Sequence, residues 1–462
     1  MTPPRRLQQS FGDGLIREEI SDLWEPWMRH ADQVLDNDRL VEIVQAALAK
    51  RCKKSKTRGR PGTPADVILR LLILKHIREW SFEETAREVR ANLVYREFTR
   101  IGAGTVPDDK SISRFSRQIG PEVVEQLHQQ VVSIAQENNV VQGRKLRVDT
   151  TVVETNIHYP TDSTLLNDGV RVLTRVMKKV TGVAGAVVTP LRDRTRSVKR
   201  RILEIVRASR ERSEKGQQKL TAAYRKLLDV SGRVVGQAKK FSAELANKRR
   251  AVLRRAKRQL DEMIQRLQQV MRQTRQRVLG GDTRAEGKIV SVFEPETEVI
   301  RKGKAGKPTE FGKLVKIQEA ENQIVTHYEV YDRRPSDSEL LTPAVEKHIE
   351  QFGCAPTVVA ADAGFFSAAN EAQAQQLGVK RVAVPSQSTK SAQRKQTQKK
   401  RWFKKAQRWR TGCEGRISVL KRRHGMDRSR YQGTDGMRRF VGLSVIADNL
   451  INLGRARAIM AR

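Results

Sequence analysis

Three isolated carboxylates are the residues of this chain best suited to chemistry. Glu414 lies in the most basic stretch, since residues 390–430 contain 16 Lys or Arg and only two acids, Glu414 and Asp427. Asp149 and Asp362 each end an apolar run typical of a strand. A carboxylate among cations repels phosphate unless a divalent metal lies between them. Two strand-end aspartates and a helical glutamate therefore indicate two-metal phosphoryl transfer on DNA.

The charge balance points to a polyanionic partner. The chain has 462 residues, 90 Lys and Arg against 52 Asp and Glu, a net charge of +38 and a pI near 10.7. Nucleic acid is the first partner this implies, and an anionic membrane surface the second. The length predicts two or three domains, and the 38% hydrophobic content supports folded cores.

Localisation is predicted from three features of the sequence. No apolar run reaches 18 residues, so the sequence predicts no membrane span. The first residues, Met-Thr-Pro-Pro-Arg-Arg, do not form a signal peptide. Three cysteines without C-x-x-C spacing argue against structural zinc and a disulfide scaffold. Together they predict a protein of the reducing cytoplasm.

A helical domain is predicted over residues 63–138, after an N-terminal segment and basic linker over residues 1–62. Ser81 and Glu84 have the spacing of a capping box, and Thr63 is placed to cap an earlier helix. A short later helix, from Ser111 to Ile119, has a rim of cations, which are Lys110, Arg114 and Arg117. Short helices with a basic third element are compatible with helix-turn-helix-like DNA binding, and equally with a plain helical bundle.

The two aspartates fall in segments that predict an α/β core, residues 139–164 and 282–462. A β-branched run around Asp149 predicts a strand. Further strands are predicted at 288–292, 298–302, 313–319 and 323–331. The run before Asp362, a helix over 368–377 and a strand over 379–385 predict a β-α-β unit with parallel strands. Chemistry in such sheets gathers at strand ends, although either aspartate alone is also compatible with a structural role.

Between these segments, residues 165–281 predict a basic helical insertion. From residue 191 to 280 there are 27 Lys or Arg against 8 acids. Glycines at 216, 232 and 236 predict breaks between helices, and Gly280 with Gly281 predicts the end of the last one. One-sided charge of this kind favours contact with a phosphate backbone over a merely solvated face.

These motifs resemble those of bacterial insertion-sequence transposases of the DDE class. Arg-Val-Asp149-Thr-Thr-Val-Val-Glu resembles the first catalytic strand, and Val-Ala-Ala-Asp362-Ala-Gly-Phe the second carboxylate motif. Arg410-x3-Glu414-x6-Lys421 resembles the signature around the third acid. The tyrosine that precedes this arginine by three residues in the family is replaced here by glutamine, at position 407.

The resemblance extends to the N-terminal region and implies a fold. Trp80-Ser-Phe-Glu-Glu-Thr-Ala-Arg and Val106-Pro-Asp-Asp-Lys-Ser-Ile-Ser-Arg-Phe resemble the helical domain of the same elements. The implied architecture is an α/β RNase H-like catalytic core, with a mixed sheet flanked by helices. An all-α N-terminal domain and the basic helical insertion complete it.

The resemblance also implies a function and roles for the site residues. The expected activity is metal-dependent cleavage at transposon ends and strand transfer into target DNA. Asp149 is expected to bridge two Mg²⁺ ions, which Mn²⁺ can replace, and Asp362 and Glu414 to hold one ion each. The three carboxylates are therefore expected to converge in one metal cluster. Arg410 and Lys421 lie one and two turns from Glu414, so both are expected to bind phosphate and to be exposed without DNA.

The expected partners are the double-stranded DNA of the transposon ends and of the target. A homodimer or larger assembly is expected on DNA, in the bacterial cytoplasm near the nucleoid. Two other classes remain compatible with the sequence. One is a basic DNA-binding protein without catalysis, and the other is a different RNase H-like nuclease.

Overall fold

The computed structural model describes residues 3–5, 20–50, 62–183, 187–282, 286–301 and 308–460. It divides into two compact units, Met1–Asn156 with Gly312–Arg462, and Ile157–Phe311. The predicted basic linker over residues 51–61 lies outside the described residues. The finer division into five segments stays a prediction.

The first unit begins with helices and then forms a long strand. These elements are α1 (Pro26–Leu35), α2 (Asp38–Ala49), α3 (Ala65–Ile77), α4 (Phe82–Ala91), α5 (Leu93–Phe98), α6 (Asp109–Gln118), α7 (Pro121–Glu137) and β1 (Lys145–Thr155).

The second unit consists mainly of long helices. Its elements are α8 (Asp162–Thr181), α9 (Thr195–Ala208), α10 (Glu214–Glu244), α11 (Ala251–Gly280) and the short strand β2 (Glu298–Ile300).

The chain then returns to the first unit through a strand that starts at the boundary. The elements are β3 (Glu310–Glu319), β4 (Val325–Val330), α12 (Leu341–Phe352), β5 (Val358–Ala360), α13 (Ala368–Gln376), β6 (Arg381–Ala383), α14 (Ala392–Lys399), α15 (Arg401–Arg423), β7 (Arg428–Ser429) and α16 (Gly433–Met460).

The sheet of the first unit is mixed. β1 pairs antiparallel with β3, which pairs antiparallel with β4. On its other side β1 pairs parallel with β5, and β5 pairs parallel with β6. β7 adds a short parallel pairing at the far end of β1. The predicted β-α-β unit is thus present as β5, α13 and β6, and the predicted fold class, a mixed sheet with flanking helices and a helical N-terminal region, is confirmed.

The N-terminal helices share one hydrophobic core with the last helix. Buried side chains of α1, α2, α3 and α7 form this core together with Leu443, Ile446, Leu450 and Leu453 of α16. The capping box predicted for α4 is confirmed, because the Ser81 hydroxyl accepts from the Glu84 amide at 3.0 Å. The Glu84 carboxylate accepts in turn from the Ser81 amide at 2.7 Å.

Several local predictions are wrong. The helix expected to start at Pro64 begins at Ala65, with no side-chain cap from Thr63. Residues 288–292 form no strand. The glycines at 216, 232 and 236 do not separate helices, because all three lie inside the single helix α10. A helix-interior glycine costs only about 1 kcal/mol, and the buried apolar stripe of α10 outweighs that cost.

His128 is a buried polar group that ties the helical core to the sheet. It is 2% exposed, and its Nε2–H donates to the Val325 carbonyl of β4 at 2.9 Å. Burial lowers the pKa of His128 to about 4, although this hydrogen bond acts in the opposite direction. The imidazole is therefore neutral in the folded protein at pH 7.

We predict that the free energy of unfolding decreases at acidic pH, in part because His128 becomes protonated on unfolding. Its folded pKa is below the unfolded value, so its contribution is complete above about pH 6.5 and is lost as pH falls towards 4. Between pH 7.5 and 5.0 this one group accounts for about 2 kcal/mol. Denaturant unfolding at both pH values should show a smaller loss for His128→Asn than for wild type. Equal losses in the two proteins would contradict this account.

Candidate active site

β1 presents its alternate residues to two different helices. Leu146 and Val148 join the buried cluster under α12 on one face of the sheet. Arg147 lies on the other face, where it contacts α15. Asp149 follows at the same alternation and approaches the same helix. The strand thus directs one of the predicted catalytic acids to the helix that carries Glu414.

Arg147 fixes how α15 crosses the strand. Its guanidinium donates to the Trp409 carbonyl and forms a buried ion pair with Glu319 of β3. It also lies 4.9 Å from the centre of the Trp409 ring. Burial raises the pKa of the Glu319 carboxyl, and the guanidinium of Arg147 acts against that shift. A Cβ on Gly412 would clash with Arg147 Nη1, so glycine lets the helix pass this close.

Arg410 lies between two of the three predicted acids. Its guanidinium is 2.8 Å from Glu414 on the next helical turn and 3.6 Å from Asp149 on β1. The Arg410 side chain is 13% exposed and that of Glu414 is 56% exposed. Two carboxylates that are remote in sequence therefore face a common cation on one side of the sheet.

Asp362 lies at the end of the neighbouring strand. β1 and β5 pair in the register Arg147 with Ala360, and this register continued by two residues aligns Asp149 with Asp362. Asp362 has extended backbone angles and precedes the short 3-10 turn Ala363–Phe365. The Asp362 side chain is exposed. Asp362 thus follows the end of β5 directly, as predicted, whereas Asp149 lies inside β1 and not at its end, because the strand continues to Thr155.

Gln407 attaches α15 beside Asp362. Its side-chain amide donates to the Ala361 carbonyl at 3.3 Å and also to the Ala383 carbonyl. These two carbonyls lie at the ends of β5 and β6. The residue that replaces the family's tyrosine therefore has a structural contact of its own, which holds the helix over the strand ends.

The expected convergence of the three acids in one cluster is not met. Among the described residues, no group of three His, Cys, Asp or Glu side chains is arranged to hold a metal ion. The reason is visible in the geometry, because the guanidinium of Arg410 lies between Asp149 and Glu414. The three side chains nevertheless fit a hard divalent cation chemically, since all offer carboxylate oxygens, and those of Asp149 and Glu414 already face one positive charge.

The predicted exposure of the two basic signature residues is wrong. Arg410 is 13% exposed because it pairs with the acids, and Lys421 is 18% exposed. Lys421 Nζ donates to the Val152 carbonyl of β1 at 2.8 Å and lies 3.5 Å from Asp427. Lys421 thus anchors the end of α15 to the strand.

A fourth carboxylate near the strand ends was missed from the sequence. Asp337 accepts a hydrogen bond from the Thr150 hydroxyl at 3.2 Å. Its other carboxylate oxygen lies beside Gly364, at 3.3 Å from the position that a Cβ would take there. Asp337 therefore contacts both the residue after Asp149 and the turn after Asp362. Arg147 was missed as well, although a cation between the apolar residues Leu146 and Val148 of a predicted strand could have indicated a buried partner.

The three cations predicted to bind DNA in the N-terminal domain lie on α6, not on α15 or the sheet. Lys110, Arg114 and Arg117 are all exposed on α6. Their spacing of four and three residues places them on one face of the helix. The Arg114 guanidinium donates to the Ser111 hydroxyl at 3.1 Å and covers the Phe115 ring. α6 therefore presents one basic face to solvent.

Comparison with protein families agrees with this geometry. Residues 24–118 match the family described as Transposase domain (DUF772), and residues 370–454 match the family described as Transposase DDE domain. Arg410, Glu414 and Lys421 fall inside the second match, whereas both aspartates precede it. No curated protein and no solved structure matches the chain significantly.

The chain therefore contains a DDE transposase domain, and such a domain implies a polynucleotidyl transferase. Its helical N-terminal region is a transposase domain of the DUF772 type, so the two matched segments are both domains of transposases. Transposases bind DNA, and DDE transposases generally use divalent metals. Across the described residues, no helix combines the length and the hydropathy needed to cross a bilayer.

We predict that Lys421→Ala destabilises the fold. The substitution removes the charged donor of the Val152 carbonyl, and a hydrogen bond of this type contributes about 1–3 kcal/mol. Arg422→Ala is the control, because Arg422 is exposed on the next residue of the same helix. Its effect should stay within about 0.5 kcal/mol. Equal melting temperatures for the two variants would show that the Lys421 contact contributes nothing.

A matched pair of glycine substitutions tests the crossing of α15 over β1. Gly412→Ala should destabilise by about 1–3 kcal/mol, because the methyl group meets Arg147 Nη1, which its partners hold in place. Gly415→Ala, three residues later, meets no atom within 4 Å. It should instead stabilise the helix by up to about 1 kcal/mol. Chemical denaturation measures both, and the same sign for both would overturn the packing argument.

Proposed function

We propose that this transposase cleaves DNA at the ends of its element and joins the ends to target DNA. Asp149, Asp362 and Glu414 are the proposed catalytic and metal-binding residues. The observation that carries the proposal is the placement of Asp149 and Glu414 on opposite sides of one cation, the Arg410 guanidinium. The position of Asp362 two residues beyond β5, which pairs in parallel with the strand of Asp149, supports it.

In this proposal, two Mg²⁺ ions, which Mn²⁺ can replace, supply activation of the attacking oxygen and neutralisation of the leaving oxygen. The protein residues provide the rigid placement of the carboxylates. β1 carries Asp149, the paired strand β5 leads directly to Asp362, and α15 carries Glu414, which shares the Arg410 guanidinium with Asp149. The same carboxylates serve cleavage and strand joining, because only the identity of the attacking hydroxyl differs.

Arg410 has two proposed tasks. Without DNA, it balances the charge of Asp149 and Glu414, which otherwise repel each other. With DNA, its guanidinium can bind a phosphate oxygen, since phosphate is its natural bidentate partner. Lys421 holds β1 against α15, and so its contribution to phosphate binding is secondary to that contact.

The proposed DNA contacts extend over both units. Lys110, Arg114 and Arg117 form one contact surface on α6. In the second unit, α10 has a row of exposed cations at a spacing of seven residues, Lys219, Lys226, Arg233 and Lys240. Two of them pair only with exposed acids, Lys219 with Glu211 and Arg233 with Asp229, and such pairs are weak. Phosphates can therefore replace these acids at small cost.

The proposed setting is a homodimer or larger assembly on double-stranded DNA, in the bacterial cytoplasm near the nucleoid. Two DNA ends must be joined to one target, and a symmetric assembly brings two active sites together. Strand transfer separates this function from that of a simple RNase H-like nuclease, which hydrolyses without joining. Loss of cleavage on removal of a single acid separates it from DNA binding alone.

We predict that Asp149→Asn, Asp362→Asn and Glu414→Gln each reduce single-turnover cleavage of a transposon-end duplex by about 10²–10³-fold or more. The amides keep the shape of the side chains but not their charge, so DNA binding should persist. Asp332→Asn is the control, because Asp332 is 65% exposed and pairs with Arg438. Cleavage in Mg²⁺ and joining of a 3′-hydroxyl end to plasmid are the readouts. Undiminished cleavage by Asp149→Asn would remove the basis of the assignment.

A further inference from the structure

The face of α15 next to Glu414 has a regular pattern that internal packing does not explain. Every third or fourth residue forms one solvent-facing row, namely Arg401, Lys404, Arg408, Thr411, Gly415, Ser418 and Arg422. All are exposed except the partly exposed Ser418. The row begins and ends with cations and has only small side chains at its centre. We call these seven residues the solvent row.

The helix buries a different face. The buried residues that pack α15 into the fold are Phe403, Ala406, Cys413, Arg416, Ile417 and Leu420. The cations of the solvent row thus lie on the exposed face of α15, away from these buried residues.

The cations of the solvent row differ from the others near the site. Arg410 pairs with two acids, and Lys421 contacts Asp427. By contrast, Arg401, Lys404, Arg408 and Arg422 form no ion pair with any acid in the described part of the chain. Their charge is therefore available to an external anion.

Gly415 is the residue of the row that internal structure does not require. A Cβ at this position would meet no atom within 4 Å, and the residue lies within a regular helix. Glycine lowers helix stability, so its position needs another reason. Gly412 has such a reason in Arg147, whereas Gly415 has none inside the described part of the protein. It lies next to Glu414, where a close approach to the helix backbone would bring a ligand to the carboxylate.

We infer that the solvent row of α15 binds the sugar–phosphate backbone of the DNA strand that is cut. Arg401, Arg408, Gly415 and Arg422 are seven residues apart, about 10.5 Å for each step. The cations bind phosphates on either side, and the gap at Gly415 lets the scissile phosphate reach Glu414. The inference rests on the proposed function, because it describes how the DNA strand would reach the proposed catalytic carboxylates.

The first experiment changes only the size of residue 415. Gly415→Ala and Gly415→Leu should both keep or raise the melting temperature, because the space around Cβ is open. Gly415→Leu should reduce single-turnover cleavage by about 10²-fold, since displacement of a reacting group by about 1 Å has effects of this size. Gly415→Ala should have a smaller effect. Gly280→Leu is the control, because Gly280 also has open space around it, at the end of α11.

The second experiment changes only charge. The triple variant Arg401→Gln, Lys404→Gln and Arg408→Gln should flatten the plot of log affinity against log salt. The slope should fall by about 0.9 for each phosphate that the variant no longer neutralises, and so by roughly 2.7 in total. This measurement needs no cleavage, and it tests the inference even if a leucine at position 415 impairs folding.

The outcomes separate the inference from the proposed function. Wild-type cleavage by Gly415→Leu, or an unchanged salt slope in the triple variant, overturns the inference while Asp149→Asn remains inactive. If Asp149→Asn cleaves normally, the proposed function itself fails. Reduced cleavage by Gly415→Leu at an unchanged melting temperature, with a reduced slope in the triple variant, supports the path of the strand along α15.

Discussion

The buried guanidinium of Arg147 is the contact on which the site depends. It joins three elements, because it pairs with Glu319 of β3, donates to the Trp409 carbonyl of α15 and belongs itself to β1. A buried charge without partners costs several kcal/mol, so this arrangement tolerates little displacement. The crossing point of helix and strand is thereby fixed, and Arg410 and Glu414 follow within the next turns at the level of Asp149.

A second buried ion pair fixes the same helix about two turns after Trp409. Arg416 of α15 donates to both carboxylate oxygens of Asp448 of α16, at 2.8 and 2.9 Å. Asn452 also donates to Asp448, at 3.0 Å. Since α16 packs into the core of the N-terminal helices, this pair couples the catalytic helix to that core. Together the two ion pairs hold α15 by its buried face and leave its opposite face to the solvent.

The sequence predicts elements whose signals are local, and it fails where distant residues decide. The strand around Asp149 and the capping box of Ser81 and Glu84 follow from neighbouring residues, and both are present. The continuity of α10 through Gly232 does not, because packing against other helices decides it. The same holds for Lys421, whose burial is set by the Val152 carbonyl of a strand far away in the chain.

The site shows the same division between local and distant information. Spacing alone places Arg410 on the same face as Glu414, and the structure has that contact at 2.8 Å. No spacing rule predicts that the same guanidinium also reaches Asp149. The role of residue 407 is similar, because its two carbonyl partners come from different strands. At the site, the contact within one helix is thus predictable from spacing, whereas the contacts between this helix and the sheet require the structure.

The position of the second unit in the chain bears on how the first unit folds. The unit Ile157–Phe311 interrupts two paired strands, since Glu154 of β1 lies opposite Gly312 of β3. Its own ends meet, because the rings of Tyr159 and Phe311 contact each other edge to face at 5.6 Å between centres. Pairing two strands across a long unfolded loop is slow, because closing the loop costs conformational entropy before any stabilising contact between the strands has formed. If the helical unit folds early, its joined ends connect β1 to β3 as a short turn would. The two strands can then pair like the strands of a hairpin, although they are remote in sequence.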